Sequence, residues 1–583
     1  MPLTTRRGFR ALASGLLVAG IGWAFAAPAI AAPRPDAPEA STRLASSSTV
    51  TPGTGPLSVS ILMPIVVPPT TTGLIPAEDL ELYTAPFGTL SRQLDAVAGT
   101  PVALGVDPMV LASIRVLGSA APPSAAAWLA RLEALSNEVF TLAYADADVV
   151  GAARTGTLAA LTPTGFGFAL DPDDFTPVAT PDPTAPPTAT PTPSADPDQA
   201  PPFPTTDQLL AWSSSLPAIA WPADEVVAAA DLEPLAAAGY TEVLVSSELL
   251  DATTSPLAAL GDLRGIVVDS ASSIALRSAT GAISEADRAS SIAALDAALD
   301  AQAAAAPGRG LVLTLGRGWP AGLTNLSDTL AHLQGSASAQ LVTLGDILAT
   351  TPVEGVLGEA EGDTEREQVY TSLAEDAARE ETFSTVLVDP APLLDPRRLE
   401  RIALYAVGWQ PNASGWNEAV TAFHGRSEEI VTSVRIERGS DVVLLARNTD
   451  FRVAVSNKLP FPVTVRVGIT SQSPVLRPQG DVELTVEPEA TGTAYIKVEA
   501  VANGDVVVQA QVHSPTGVPI DSAYIKVTAQ AEWEGIGTTV VALLLLLVFG
   551  AGILRIVVTR RRARAELEAA DAAPEAPSED VRG

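Results

Sequence analysis

Hydrophobic and polar positions follow four regimes along the chain. Between residues 57 and 361, short, nearly continuous apolar runs recur at 57–67, 102–106, 139–143, 218–221, 242–245, 265–268, 311–315 and 341–344. Alanine-rich amphipathic stretches separate most of them. Runs of this kind read as strands buried on both faces, and their alternation with helical segments predicts a parallel sheet. About eight such units suggest a β/α barrel, with a doubly wound open sheet as the alternative. Residues 362–432 read as a helical region. From 433 to 531 the pattern becomes strict alternation: VRIERG, FRVAVSNKL, VTVRVGIT and AYIKVTAQ, broken by Gly, Pro and Asn, predict an immunoglobulin-like β-sandwich. The fourth regime is TTVVALLLLLVFGAGILRIVV, residues 538–558. It has the roughly 20 apolar residues that a membrane-spanning helix needs, and the helix is assigned to 536–558.

Flanking charge sets the expected orientation. Arg560, Arg561, Arg562 and Arg564 follow the apolar run and Glu532 and Glu534 precede it, so the C-terminus is expected in the cytoplasm and the rest of the chain outside. Residues 1–31 fit a secretory signal peptide, with Arg6, Arg7 and Arg10 before an apolar run and Ala29-Ile30-Ala31 at its end. Thr5-Arg6-Arg7-Gly8-Phe9 resembles the twin-arginine signal; an ordinary basic leader is the alternative. Residues 32–56 are expected to form a disordered Pro/Ser/Thr spacer. The stretch 171–206 reads as an extended Pro/Thr-rich insertion within the barrel-like domain, and 559–583 as a disordered tail.

Composition narrows the function. A formal charge of −32 excludes a nucleic-acid partner, whose phosphates need excess Lys and Arg. Without Cys there is no disulfide, thiolate metal site or cysteine nucleophile. Only His332, His424 and His513 are present, in no paired motif, which argues against the metal-dependent deacetylase chemistry that related barrels host. No G-x-S-x-G elbow or phosphate-binding loop is found, and Gly316 and Gly318 in LGRGWP read as a strand-end turn. No cofactor and no metal are expected.

NKLPFPVTVRV (457–467), ANGDVVVQAQVHSPTGVPI (502–520), ALGVDPMVL (103–111), FTLAYADADVVGAA (140–153) and IAWPAD (219–224), with the membrane helix, together resemble an actinobacterial family of envelope proteins of unknown function. Genes of that family commonly sit beside a lipid II flippase homologue. The resemblance therefore implies a role near peptidoglycan assembly, with cell-wall glycan or cell-wall synthesis membrane proteins as partners.

Active sites of β/α barrels gather at the C-terminal strand ends, and here the polar residues after the apolar runs are mostly acids. Asp107, Asp146, Asp148, Glu248 and Asp269 are the candidate catalytic carboxylates, and Asp224 and Glu225 follow another run. Tyr144, Trp221 and Trp319 are candidate stacking surfaces for sugars. Paired carboxylates beside aromatic faces are what glycoside hydrolysis needs. The competing reading is that each Asp caps the helix after its strand. Trp409 and Trp416 read as core anchors rather than stacking platforms. The leading expectation is a non-catalytic binding or scaffolding protein of the cell membrane, with a membrane-tethered glycoside hydrolase as the alternative.

Overall fold

In a computed structural model of the chain, the described residues are 55–175, 203–250, 255–317, 325–530 and 533–570. The expected signal peptide, nearly all of the spacer, the centre of the Pro/Thr-rich insertion, Trp319 and the end of the tail lie outside them.

Strands β1 (Leu57–Ile65), β2 (Ala103–Val106), β3 (Val139–Thr141), β4 (Ile219–Ala220), β5 (Glu242–Ser246), β6 (Leu257–Leu260), β7 (Leu263–Val268), β8 (Gly310–Thr314), β9 (Ala339–Leu341) and β10 (Val353–Glu354) form one sheet. β1 is its axis: eight of its nine residues are buried, and it pairs in parallel with β2, β8 and β9. The parallel path runs β4-β5-β7-β8-β1-β2-β3 and curls into a half-barrel. Among the described residues its two ends, β3 and β4, form no ladder with each other. The chain ahead of β4 touches β3 instead, where the Ser215 and Leu216 amides donate to the Val139 carbonyl at 3.0 and 3.1 Å.

Each of the eight apolar runs carries a strand, although the last begins earlier than expected, at Ala339, because Leu344–Leu348 is helical. β6 is an addition. It forms an antiparallel hairpin with β7 in which Gly261 takes φ +63°, a conformation that costs a residue without Cβ little.

Three helices follow the half-barrel, Thr364–Phe383, Ala391–Leu404 and Ala413–Val431. Tyr370, Leu399, Ile402, Trp416 and Phe423 share the half-barrel's hydrophobic core, and Tyr370 stacks on Tyr405 at 4.0 Å. Phe383 and Val386 enter the next core instead. Trp409 and Trp416 are buried, with their indole N–H groups donated to the Ala403 and Leu404 carbonyls.

That next core lies between two sheets built from β11 (Val434–Ile436), β12 (Val442–Leu444), β13 (Asn448–Asn457), β14 (Val463–Ser471), β15 (Leu476–Pro478), β16 (Val482–Val486), β17 (Thr491–Ala500), β18 (Gly504–His513) and β19 (Pro519–Ala529). Their orders are β11-β13-β17-β15 and β12-β19-β18-β14-β16. Alternate residues such as Val453, Val465, Ile496 and Val508 meet in the interior, as period-two patterning requires.

A single helix closes the described chain, Trp533–Ala570, whose segment 538–565 is long and apolar enough to cross a membrane. It runs past residue 558 into the expected disordered tail, through Arg, Ala, Leu and Glu residues that favour helix.

Candidate binding site at the mouth of the half-barrel

β2 and β7 pass directly into helices, β3 reaches its helix through the turn Tyr144–Asp146, and ahead of each of the three helices the acid is an N-cap. Asp107 Oδ1 accepts from the Met109 amide at 2.8 Å, Asp148 Oδ1 from Gly151 at 3.0 Å, and Asp269 Oδ1 from Ser272 at 2.9 Å. A carboxylate there answers backbone donors that the first helical turn leaves unpaired. Asp269 is occupied further by Gln302, whose amide donates to Oδ2 at 2.7 Å, and it lies 3.8 Å from Arg309. Glu248 is exposed on the turn that follows β5. The structure therefore gathers Asp107, Asp146 and Asp148 and leaves Glu248 and Asp269 elsewhere.

Asp107 also accepts from the Ala145 amide at 2.8 Å, which ties it to the turn holding Asp146. Burial holds the Asp107 carboxyl well above the ordinary carboxylate range; the neighbouring Asp146 charge adds to this, and the backbone donors oppose it. Burial likewise raises Asp146, with Arg317 pulling the other way, and raises Asp148 against the Gly151 amide and Arg366.

Two turns after β3 and β4 share an unusual geometry. Ala145 and Asp146 have φ +57° and +49°, and Asp224 and Glu225 have +53° and +55°. These are four of the five non-glycine residues with positive φ among the described residues. Each costs roughly 1–2 kcal/mol against the right-handed form, and such strain concentrates at functional sites. In both turns the third residue is a buried acid aimed at an arginine. Arg317 Nε donates to Asp146 Oδ2 at 2.7 Å, and its Nη2 and Nη1 donate to the Trp221 and Pro222 carbonyls at 2.7 and 3.2 Å. Arg277 Nη2 donates to Glu225 Oε1 at 3.2 Å, and the Thr314 hydroxyl donates to the same oxygen at 2.9 Å.

A cleft of about 400 Å³ opens over this cluster, with Val66, Pro69, Met109, Ala406 and Pro411 as apolar walls and Asp146 and Arg317 as its charged edge. A smaller pocket of about 190 Å³, whose lining mixes Glu225, Arg277 and Gln410 with Trp221 and Val407, adjoins it through Arg317, Gly408 and Pro411. Residues 403–411, from the end of one helix and the turn beyond it, cover the mouth. A Cβ on Gly408 would sit 3.1 Å from Pro69, so a glycine lets this segment approach closely. Two of the three candidate stacking residues, Tyr144 and Trp221, are described, and both are buried. Tyr144 is buried and donates its hydroxyl to the Gly73 carbonyl at 2.6 Å; Trp221 is buried against Phe140 with the Arg317 guanidinium 4.9 Å from its ring centre. Among the described residues no group of three or more His, Asp or Glu side chains is placed to hold a metal.

The model of a family of unknown function, DUF6049, matches residues 34–578. The chain belongs to that family. No curated protein matches it. Among solved structures, this DUF6049 chain is similar to the α-amylase AmyC of Thermotoga maritima, at 9% identity over 64% of this chain and 93% of that one, with a TM-score of 0.40. Its similarity to native alpha-2-macroglobulin of Escherichia coli is 18% identity over 17% of this chain and 16% of the other, with a TM-score of 0.14. For WR4, an MSP family member of Caenorhabditis elegans, the figures are 9% identity, 17% and 98% coverage, and a TM-score of 0.14.

Arg277, Arg317 and Gln410 are the site residues that sequence reasoning missed. Arg317 sits between the two glycines of LGRGWP, in a segment that reads only as a turn.

Proposed function

We propose that the chain is a membrane-anchored, extracytoplasmic envelope protein whose half-barrel mouth binds a component of cell-wall assembly without turning it over. An immunoglobulin-like stalk carries that mouth above the membrane. The observation that supports binding over hydrolysis is the occupation of the acids: Asp107, Asp148 and Asp269 are helix caps and Asp146 is held by Arg317. A hydrolase needs one carboxyl free to give a proton and another free to attack or to activate water. The mouth's largely apolar walls and fixed charges suit recognition instead.

The hydrolase reading keeps one supporting observation, that Asp146 and Glu225 line adjoining pockets. One experiment separates the two. The full-length protein is incubated with isolated peptidoglycan and envelope polysaccharide, and pelleted protein and released reducing ends are measured in the same tubes. Binding without release is expected. Release abolished by Asp146→Asn or Glu225→Gln would make the protein an enzyme, and neither binding nor release would point to a protein partner in the membrane.

A further inference from the structure

A second cavity, which shares no lining residue with the mouth cleft, has a different character. It encloses about 750 Å³ beside β3, between that strand's end and the helices Val149–Arg154, Thr206–Leu210 and Leu232–Ala237. That volume lies within the roughly 300–1,000 Å³ of small-molecule sites. None of the residues lining it is charged, in a chain of which 17% is charged. Leu142, Ala153 and Leu161 are buried at its floor, and the exposed methyls of Ala159 and Ala237 stand at its mouth. Of its two phenols, Tyr144 is committed to the Gly73 carbonyl, and Tyr240 is the other.

We propose that this pocket binds one acyl chain of a membrane lipid. No side chain lining it is charged, and the neighbouring Arg398 already donates to the Thr162 and Ala159 carbonyls at 2.6 and 3.1 Å, so burying an ionic headgroup there would be costly, whereas a hydrocarbon tail gains by leaving water. The pocket lies beside β3, the end of the parallel path, whose outer edge no strand among the described residues pairs with. As an occupant the chain's own segment 176–202 is poorly suited: its one branched aliphatic residue is Val178, and it carries Asp182, Asp196 and Asp198. The proposal rests on the membrane-anchor reading only for the source of the lipid.

The test uses the full-length protein in its native membranes, exposed to a stearic acid bearing a photoactivated diazirine, with crosslinked peptides mapped by mass spectrometry. Label is expected on peptides carrying 141–144, 158–163 and 237–240 as well as on the C-terminal helix. Ala159→Trp and Ala237→Trp, at exposed positions, should lower the pocket label about tenfold and leave the helix label unchanged, as expected when a few methylenes of contact are lost. Ala159→Ser should retain the pocket label, and equal protease resistance of all three variants would show that they fold. Label confined to the helix, label indifferent to both tryptophans, or pocket label seen only after deletion of 176–202 would each overturn the proposal. Release of the chain by carbonate extraction would instead refute the anchor reading.

Discussion

The half-barrel and the paired β-sheets are both filled with Val, Leu, Ile and Ala, yet only one of them takes charge into its interior. Among the described residues Asp107, Asp146, Glu225, Asp231, Glu242 and Asp269 are buried in the half-barrel, and Asp376, Glu380, Arg397 and Arg401 in the helices packed on it. The paired sheets bury no charged side chain; their interior polar groups are Ser456, Asn457 and Ser514. Backbone strain follows the same division among the described residues, with four non-glycine residues of positive φ in two turns at the half-barrel mouth against Glu489 alone among the sheets. The difference has a topological origin. Every βα junction of a parallel sheet delivers a helix N-terminus to the same end, where unpaired amides attract carboxylates, whereas hairpins of antiparallel sheets pair their own backbone. Burying ions is costly unless each is paired, so the half-barrel's fold depends on partners for its internal charges in a way that the sheets' does not.

The sharpest way to break that contrast is Arg317→Ala. It leaves Asp146 buried without its partner and should cost the half-barrel about 3–5 kcal/mol, read as an earlier first transition in urea unfolding with the transition of the paired sheets unmoved. A loss under about 1 kcal/mol would mean that the internal charges contribute little to the fold.

A smaller effect is expected from pH. The folded Asp107 carboxyl keeps its proton to higher pH than it does in the unfolded chain, where the ordinary value is 3.8. Its contribution to stability is therefore complete below that ordinary value and is lost as pH rises through the elevated folded one. Asp107→Asn keeps the Oδ1 acceptor and is neutral throughout. Above about pH 4 the wild-type half-barrel should lose stability relative to this variant, and in stronger acid the two should converge. Curves that stay parallel would show that burial does not govern this carboxyl.

The least effect belongs to the sheets' exterior. Arg447 and Glu499 meet at 3.0 Å on an exposed face, and Arg447→Ala should change stability by no more than about 0.5 kcal/mol. A larger loss would make surface charge there as consequential as the buried pairs and would erase the contrast.

Much of this architecture was legible locally. A strand buried on both faces must be apolar along its length, so β1 announces itself as LSVSILMPI, and an Asp followed by Pro at Asp107-Pro108 is a helix start whatever surrounds it. β6 was not legible, because LAAL next to Gly-Asp looks like any short apolar run until β7 folds back on it. The site was legible only by halves. The acids stand where strands end, but their arginines arrive from afar: Arg317 is 171 residues from Asp146 and Arg277 is 52 from Glu225.

The order of a β/α region, a helical region, a β-rich region and an apolar helix can be read along the chain, because periodicity, length and caps are properties of neighbouring residues. That the described strands curl without closing, that the helices share the half-barrel's core and line its mouth, and which acids are paired and which cap emerge only from the folded molecule. Those outcomes depend on contacts between residues far apart in the chain, and no local pattern encodes a partner that the fold alone brings near.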